Sequence, residues 1–269
     1  MSARRLSELT RLEGRVALVT GAAGHIGRVF VEALAELGAS VAALDLDPRA
    51  CEALSGAVAR EYGVQVIPLA VDLVNEEQVR AAPARVVERF GRLDILVNCA
   101  ALVNTADLTG WIAPFIEQRI EAWRLAVETN LTAPFVLTQA CVPPLRKAGH
   151  GSIINVGSLY GLVGPDMRLY EGTEMGNAAA YAVSKGGLLQ FTRWLATVLA
   201  PEIRVNAISP GGIWRNQPED FCRRFRARTP LERMGTEEDL KGALAYLATD
   251  LSAYVTGQNL VVDGGFTAW

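Results

Sequence analysis

Lysine is nearly missing from this chain of 269 residues: of its 26 basic side chains only Lys147, Lys185 and Lys241 are lysines. Histidine is scarcer still, with His25 and His150 alone, and the four cysteines, Cys51, Cys99, Cys141 and Cys222, lie far apart with no C-x-x-C pair. This excludes a zinc knuckle or a disulfide framework, so no metal is expected and the thiols are expected to be free and buried. No run approaches the roughly 18 apolar residues that a membrane-spanning helix needs. The opening segment MSARRLSELTRLEG has Arg4 and Arg5 with no apolar stretch behind them, and Glu8 and Glu13 argue against a transit peptide, so the expected location is the cytoplasm. A formal net charge of -3 lacks the basic field of a polyanion binder. Neither nucleic acid nor a membrane is therefore an expected partner.

Half the residues are hydrophobic and 25 are glycine without a triplet period, which excludes disordered and collagen-like chains. Short β-rich runs at 16–20, 40–45, 65–71, 93–98, 152–156, 204–208 and 259–262 alternate with helical periods at 25–37, 48–62, 76–90, 117–145, 179–199 and 237–249. That alternation predicts an α/β fold, a seven-stranded parallel sheet with helices on both faces. Most strands are nearly continuous in Val, Ile, Leu and Ala, as strands covered on both faces must be. No Pro/Ser-rich linker divides the chain, so residues 14–269 are expected as one domain behind a short surface arm, 1–13. Two segments, 161–177 and 210–233, carry turn residues and charges and follow strands. In an open α/β sheet such loops wall the ligand crevice.

The first strand runs into T-G-A-A-G-H-I-G, placing Gly21, Gly24 and Gly27 three apart before a helix. Without Cβ atoms the turn can tighten and let a pyrophosphate approach the helix N-terminus; a glycine-rich turn without a ligand is the alternative. Asp45 ends the second strand, where a carboxylate can accept from both adenosine ribose hydroxyls and, with Asp47, would repel a 2′-phosphate. NAD is thus favoured over NADP, with Arg28 and Arg49 as the cations that argue the other way. Asp72 and Leu73 close the third strand, where Asp72 serves either the adenine edge or the next helix as a cap.

Tyr181-Ala-Val-Ser-Lys185 puts a phenol and an ammonium on one helix face. A nearby cation favours the phenolate, so the pair can do acid/base chemistry; an interfacial tyrosine beside a solvated lysine is the alternative. Arginine is the common cation of this chain, which makes a lysine here informative. Ser158, ending the fifth strand, can orient a carbonyl or alcohol oxygen towards Tyr181. Asn130 lies in an apolar helical stretch and either tethers a water or caps a kink next to Pro134.

Taken together these residues resemble the short-chain dehydrogenase/reductase family in its compact branch, from about Arg15 to Phe266. The motifs are the glycine turn, Asp45, Asn98-Cys-Ala-Ala101, Asn130, Ser158, Tyr181/Lys185, Ser209-Pro-Gly-Gly212 and Val262-Asp-Gly-Gly265. The resemblance implies a doubly wound Rossmann fold with strand order 3-2-1-4-5-6-7. It implies NAD(P)-dependent hydride transfer to or from a carbon bearing oxygen, and dimers or tetramers. Tyr181 would exchange the proton, Lys185 lower its pKa, Ser158 position the substrate oxygen and Asn130 support a proton relay. Cofactor contacts are implied at Gly21, Gly24, His25, Ile26, Gly27, Asp45, Asp72, Leu73, Asn98, Ala100, Tyr181, Lys185, Pro210, Gly211 and Ile213.

The chain departs from the family pattern in four places. Its first glycines have the spacing of the extended, nucleotide-sugar branch, and Cys99-Ala100-Ala101 replaces Asn-Ala-Gly. Ser158 and Tyr181 are separated by 22 residues, more than in most members, and the insert holds Asp166, Arg168, Tyr170, Glu171 and Glu174. Arg215 stands where many members have a threonine. These features point to a small polar substrate, anionic or sugar-like, read by Ser158, Arg168, Tyr170, Glu171 and Arg215, unless the arginines are structural partners of Glu171 or Glu219. The segments RLYEGTEM and PGGIWRNQPEDF are also similar to oxidoreductases of bacterial flagellin and sialic-acid-like sugar biosynthesis. The alternatives are an NAD-retaining epimerase or dehydratase on a nucleotide sugar and, with little support, a non-enzymatic NAD-binding protein.

Overall fold

The computed structural model describes residues 4–103 and 108–269. Its strands are β1 Val16–Thr20, β2 Ser40–Asp45, β3 Val66–Ala70, β4 Ile95–Asn98, β5 Gly151–Val156, β6 Ile203–Pro210 and β7 Asn259–Val262. They form one parallel sheet in the order β3-β2-β1-β4-β5-β6-β7, as expected. The helices are α1 Leu6–Leu9, α2 His25–Glu36, α3 Pro48–Tyr62, α4 Glu76–Phe90, α5 Ile120–Val127, α6 Ala133–Ala148, α7 Ala179–Leu199, α8 Glu219–Arg228 and α9 Lys241–Ala248. None of the described helices is long and apolar enough to cross a membrane.

Pleating divides the apolar strand residues between two cores. Ala17 and Val19 of β1 face the layer of α2, α3 and α9, with Phe30, Leu54 and Leu244. Val16 and Leu18 face the layer of α4, α6 and α7, with Val79, Leu137 and Leu195. Local chemistry sets the helix ends: Asp47 accepts from the Arg49 and Ala50 amides to start α3, and Asn75 accepts from the Gln78 amide to start α4. Because β1 pairs with β2 on one side and β4 on the other, a crevice opens beyond their carboxyl ends.

The structure corrects several expectations. The helix expected over 117–145 is broken into α5, a π-helical turn at Glu128–Thr132, and α6. Pro134 has no N–H to return to Asn130 and its ring crowds that carbonyl, so the backbone widens there. The loop expected over 210–233 contains α8, whose apolar Phe221, Cys222 and Phe225 are sparse among charges. Glu219 and Asp220 in its first turn and Arg226 and Arg228 in its last suit the helix dipole. The helix expected over 237–249 begins as a 3-10 turn, Glu237–Leu240, before α9. The expected surface arm is anchored: Leu12 is fully buried in the core, and Arg4 and Arg15 both hold Asp250 at 2.6 Å. Residues 1–3 of that arm lie outside the described residues.

Candidate active site

The turn after β1 is shaped by what its glycines lack. Gly21 has φ of 63°, and a Cβ on it would lie 2.7 Å from the Ala100 Cα. On Gly27 a Cβ would sit 2.0 Å from the Gly21 carbonyl oxygen, so neither position admits a side chain. Gly24 caps α2 with no side chain, leaving the first amides of the helix open to the crevice. Thr20, which sequence reasoning overlooked, accepts at its Oγ1 from the Cys99 and Ala100 amides at 3.0 and 3.1 Å, tying the ends of β1 and β4 together. A hydroxyl as the last residue of the first strand was the available signal.

The resulting cleft has a volume of about 790 Å³ and is lined by the 21–27 turn, Asp45, Asp72, Leu73, residues 99–103, Thr129 and Arg215. Asp45 is held by backbone donors, the Ala23 amide at 2.9 Å and the Leu46 amide at 2.8 Å. Asn75 takes the capping duty weighed for Asp72, which accepts from the Val74 amide and stays on the cleft wall. Cys99 lies on the cleft floor, and burial pushes its thiol up to about 12, outweighing the charges of Lys185 and Arg215. It is a neutral wall residue. The other three cysteines are free and buried, as expected.

Of the residues expected to touch the cofactor, Asn98, Tyr181, Lys185, Pro210, Gly211 and Ile213 are not among those lining this cleft. The Asn98 amide points into the fold, donating to Asn155 Oδ1 at 2.8 Å, while Asn155 donates to Thr192 Oγ1 at 2.8 Å. The segment after β6 is pinned from behind: Gly211 N–H donates to the Val262 carbonyl, and Ile213 bridges Gly235. Gly211 and Ile213 consequently border a separate cavity of about 120 Å³, while the chain beyond them brings Arg215 forward into the cleft.

Beyond the carboxyl end of β5, Ser158 Oγ accepts from the Tyr160 amide at 3.2 Å and neighbours the Tyr181 phenol. Lys185, one turn further along α7, is almost fully buried and donates to the Val156 carbonyl at 2.7 Å. Burial lowers Lys185 to about 8. Its ammonium lies 5.9 Å from the centroid of the Tyr181 ring. The Tyr181 phenol is raised by burial, against which the neighbouring Ser158 hydroxyl and the charge of Arg215 act. In this structure Nζ of Lys185 is directed to the Val156 carbonyl, and the Arg215 charge also favours the Tyr181 phenolate. Asn130 is buried with both ends of its amide engaged, accepting from Leu102 N–H at 2.6 Å and donating to the Leu102 carbonyl and to Ser184 Oγ. Ser184 in turn donates to the Tyr181 carbonyl. The Asn130 side chain thereby clamps the cleft wall to α7.

The substrate candidates separate. Arg215 lines the cleft and is paired with Glu237 at 2.9 Å, not with Glu219, which binds Arg226. Arg168 grips both oxygens of Asp166 at 2.8 Å, with Arg228 on the same carboxylate, and is 79% exposed away from the cleft. Glu171 is exposed, and its carbonyl accepts from Arg224. Tyr170 is buried, with its hydroxyl on that of Tyr160 at 2.6 Å. Of the five, Ser158 and Arg215 are brought together with Tyr181.

A doubly wound sheet with a glycine turn and a strand-end aspartate on its cleft, and a Ser-Tyr-Lys constellation where β5 ends and α7 begins, defines a dinucleotide-dependent oxidoreductase. A family model described as enoyl-(acyl carrier protein) reductase matches residues 21–267. The chain is 34% identical over 262 residues to the 3-oxoacyl-(acyl-carrier-protein) reductase of Thermotoga maritima, covering 95% of this chain and 98% of that one. It is also 34% identical over 259 residues to the cis-4-hydroxycyclohexanecarboxylate dehydrogenase of Sinomonas cyclohexanicum, covering 94% and 97%. A solved structure of NAD+-bound xylitol dehydrogenase superposes with a TM-score of 0.84 at 31% identity, covering 94% of this chain and 99% of that one. The chain belongs to the short-chain dehydrogenase/reductase family. Its residues fit a nicotinamide dinucleotide, since the turn excludes any Cβ where the pyrophosphate would approach and the cleft runs unbroken from Asp45 to Arg215.

Proposed function

We propose that this protein oxidises a secondary alcohol, or reduces the matching ketone, of a small polar molecule carrying an anionic group, with NAD(H) as its cofactor. The reading rests chiefly on one observation: Arg215 lines the cleft and, with its Nε on Glu237 at 2.9 Å, has guanidinium donors left for an anion. When bound, the nicotinamide carries the hydride to or from the substrate carbon. Tyr181 exchanges the proton of the substrate oxygen, and Ser158, the hydroxyl beside that phenol, holds the same oxygen. Lys185 supplies a buried positive charge beneath them, and Asn130 keeps α7 in register with the cleft wall. Arg215, steadied by Glu237, offers its remaining donors to a carboxylate or phosphate.

Asp45 supports NAD over NADP because its carboxylate occupies the adenosine end, where a 2′-phosphate would be repelled. Arg28 is turned to Glu32 at 3.2 Å, which weakens the opposing argument. A dehydrogenase acting on a hydroxycarboxylate stands among the relatives, in keeping with an anion at Arg215. The narrower kinship with flagellin and sialic-acid-like sugar biosynthesis rests on two loop segments and is a matter for the same substrate panel. Exposed Val183, Trp194 and Val198 on α7 support an assembly of two or four chains.

The test is nicotinamide absorbance during turnover of hydroxycarboxylates, sugar phosphates and neutral secondary alcohols, with NAD and with NADP. Net turnover with NAD on an anionic substrate is expected, and Arg215→Ala should raise KM for it on the order of tenfold or more. Conversion without net nicotinamide change would mean an epimerase or dehydratase. An unaltered KM in the variant would remove the anion site.

A further inference from the structure

One of the two histidines stands on the wall of the cleft. His25 is the first residue of α2, it is exposed, and it lines the cleft with the rest of the glycine turn. Among the described residues its imidazole has no hydrogen-bond or ion-pair partner. The cap before it is Gly24, which offers no side-chain acceptor, and the first turn of α2 holds no acidic residue. Nothing in that turn competes for the imidazole, and the open amides beside it already favour an anion. The other histidine, His150, sits at the opposite end of the sheet, just before β5, with Nε2 3.3 Å from Asp94.

The fixed charges around the cleft do not suit a dianion. Three carboxylates, Asp45, Asp47 and Asp72, line it against one guanidinium, Arg215, which already shares Glu237 at 2.9 Å. Cys99, pushed up to about 12 by burial, adds no charge. On α2 itself Arg28 is turned to Glu32. The elements packed against α2 add Arg49 and Glu52 near the start of α3, Glu238 and Asp239 of the 3-10 turn, and Lys241, which opens α9. Of these, Asp239 is held by Arg233 at 2.7 Å. Glu36 of α2 and Arg60 and Glu61 of α3 lie at the far ends of their helices. A dinucleotide carries two negative charges on its pyrophosphate, which would approach this same turn, where no Cβ is admitted. A charged imidazole offsets the carboxylates and donates to a phosphate oxygen, whereas a neutral one leaves their repulsion standing. Histidine is the side chain whose charge commonly changes between pH ~5 and ~8.

We infer that His25 is a pH-dependent clamp on the cofactor: it takes up a proton as the dinucleotide binds and holds the pyrophosphate through its imidazolium, so that affinity falls as pH rises. This deepens the proposed function and rests on its reading of the cleft as the dinucleotide site. The proton comes from solvent on binding and returns to it on release, and no bond of the dinucleotide is made or broken. NAD and NADP share the pyrophosphate, so the effect is independent of the selectivity assigned to Asp45.

The experiment is calorimetric titration of NAD into the cofactor-free protein at pH ~5.5 and ~7.5. Lys185, lowered to about 8, keeps its proton over most of that interval. Kd should be on the order of tenfold tighter at the lower pH, the size of a charge-assisted hydrogen bond to phosphate. Between these limits the heat should depend on the ionisation enthalpy of the buffer, which reads the proton taken up. His25→Asn should show the weaker affinity at both pH values, and His25→Arg, which is always charged, the tighter. ADP-ribose keeps the pyrophosphate and should repeat the wild-type pattern, while adenosine lacks it and should show no pH effect. Equal Kd at the two pH values in the wild type overturns the inference, as does a pH effect that survives in His25→Asn or appears with adenosine. Failure of NAD to bind at either pH would count against the cofactor reading itself. Because the imidazole is exposed and has no partner to lose, His25→Asn should keep the wild-type Tm. A lower Tm would mark the side chain as structural and sink the proposal.

Discussion

Replacing Lys185 by methionine tests the electrostatics of the site in a way that separates catalysis from stability. The ammonium is almost fully buried and donates to the Val156 carbonyl, and burial lowers it from 10.5 to about 8. A group that titrates lower in the folded chain than in the unfolded one costs stability while it is charged. That fall converts to a penalty of about 3 kcal/mol near neutral pH. Methionine removes the penalty but leaves the Val156 carbonyl without its donor, a loss of about 1–3 kcal/mol. The variant should therefore equal the wild type or exceed it by up to about 2 kcal/mol at pH ~7, while its turnover falls on the order of 100-fold. The sign with pH is the sharper part. Folded Lys185 sheds its proton before the unfolded chain does, so wild-type stability relative to the variant rises by about 1 kcal/mol between pH ~7 and ~9. In a chain of this size that is a Tm change of about 2–4 °C, measurable by calorimetry on the cofactor-free protein. A variant that is less stable by the same amount at both pH values would refute the reasoning.

Asp45→Asn keeps an acceptor for the Ala23 amide while removing the charge on which the proposed NAD preference rests. The ratio of kcat/KM for NADP to that for NAD should rise on the order of tenfold, and an unchanged ratio would place the selectivity elsewhere. Gly27→Ala drives a methyl into the Gly21 carbonyl, 2.0 Å from an ideal Cβ, and so should abolish dinucleotide binding in a titration followed by tryptophan fluorescence. Retained affinity would mean that the turn yields more readily than its packing indicates.

Much of the fold was readable because its determinants are local. Buried parallel strands need continuous apolar runs, the helices of α3 and α4 carry their own caps, and the glycine turn cannot accept a side chain. The same locality made Asp45, Ser158, Tyr181 and Lys185 identifiable, since each stands at a strand end or one helical turn from its partner. α8 escaped notice because three apolar residues suffice to bury it against Leu159 and Tyr170, a contact made only when two distant loops meet. The direction of the Asn98 amide was not readable, because it is set by Asn155, 57 residues on.

The scarcity of lysine gave Lys185 its prominence, and its place on the face of Tyr181 followed from helical spacing alone. That its ammonium turns to Val156 while Arg215 reaches the cleft depends on β5, α7 and the loop after β6 converging. Periodicity and composition are properties of neighbours along the chain, so they determine elements and the order in which they occur. Charge, burial and hydrogen bonding act through space. Which arginine enters the cleft is therefore set only when the sheet brings its carboxyl ends together.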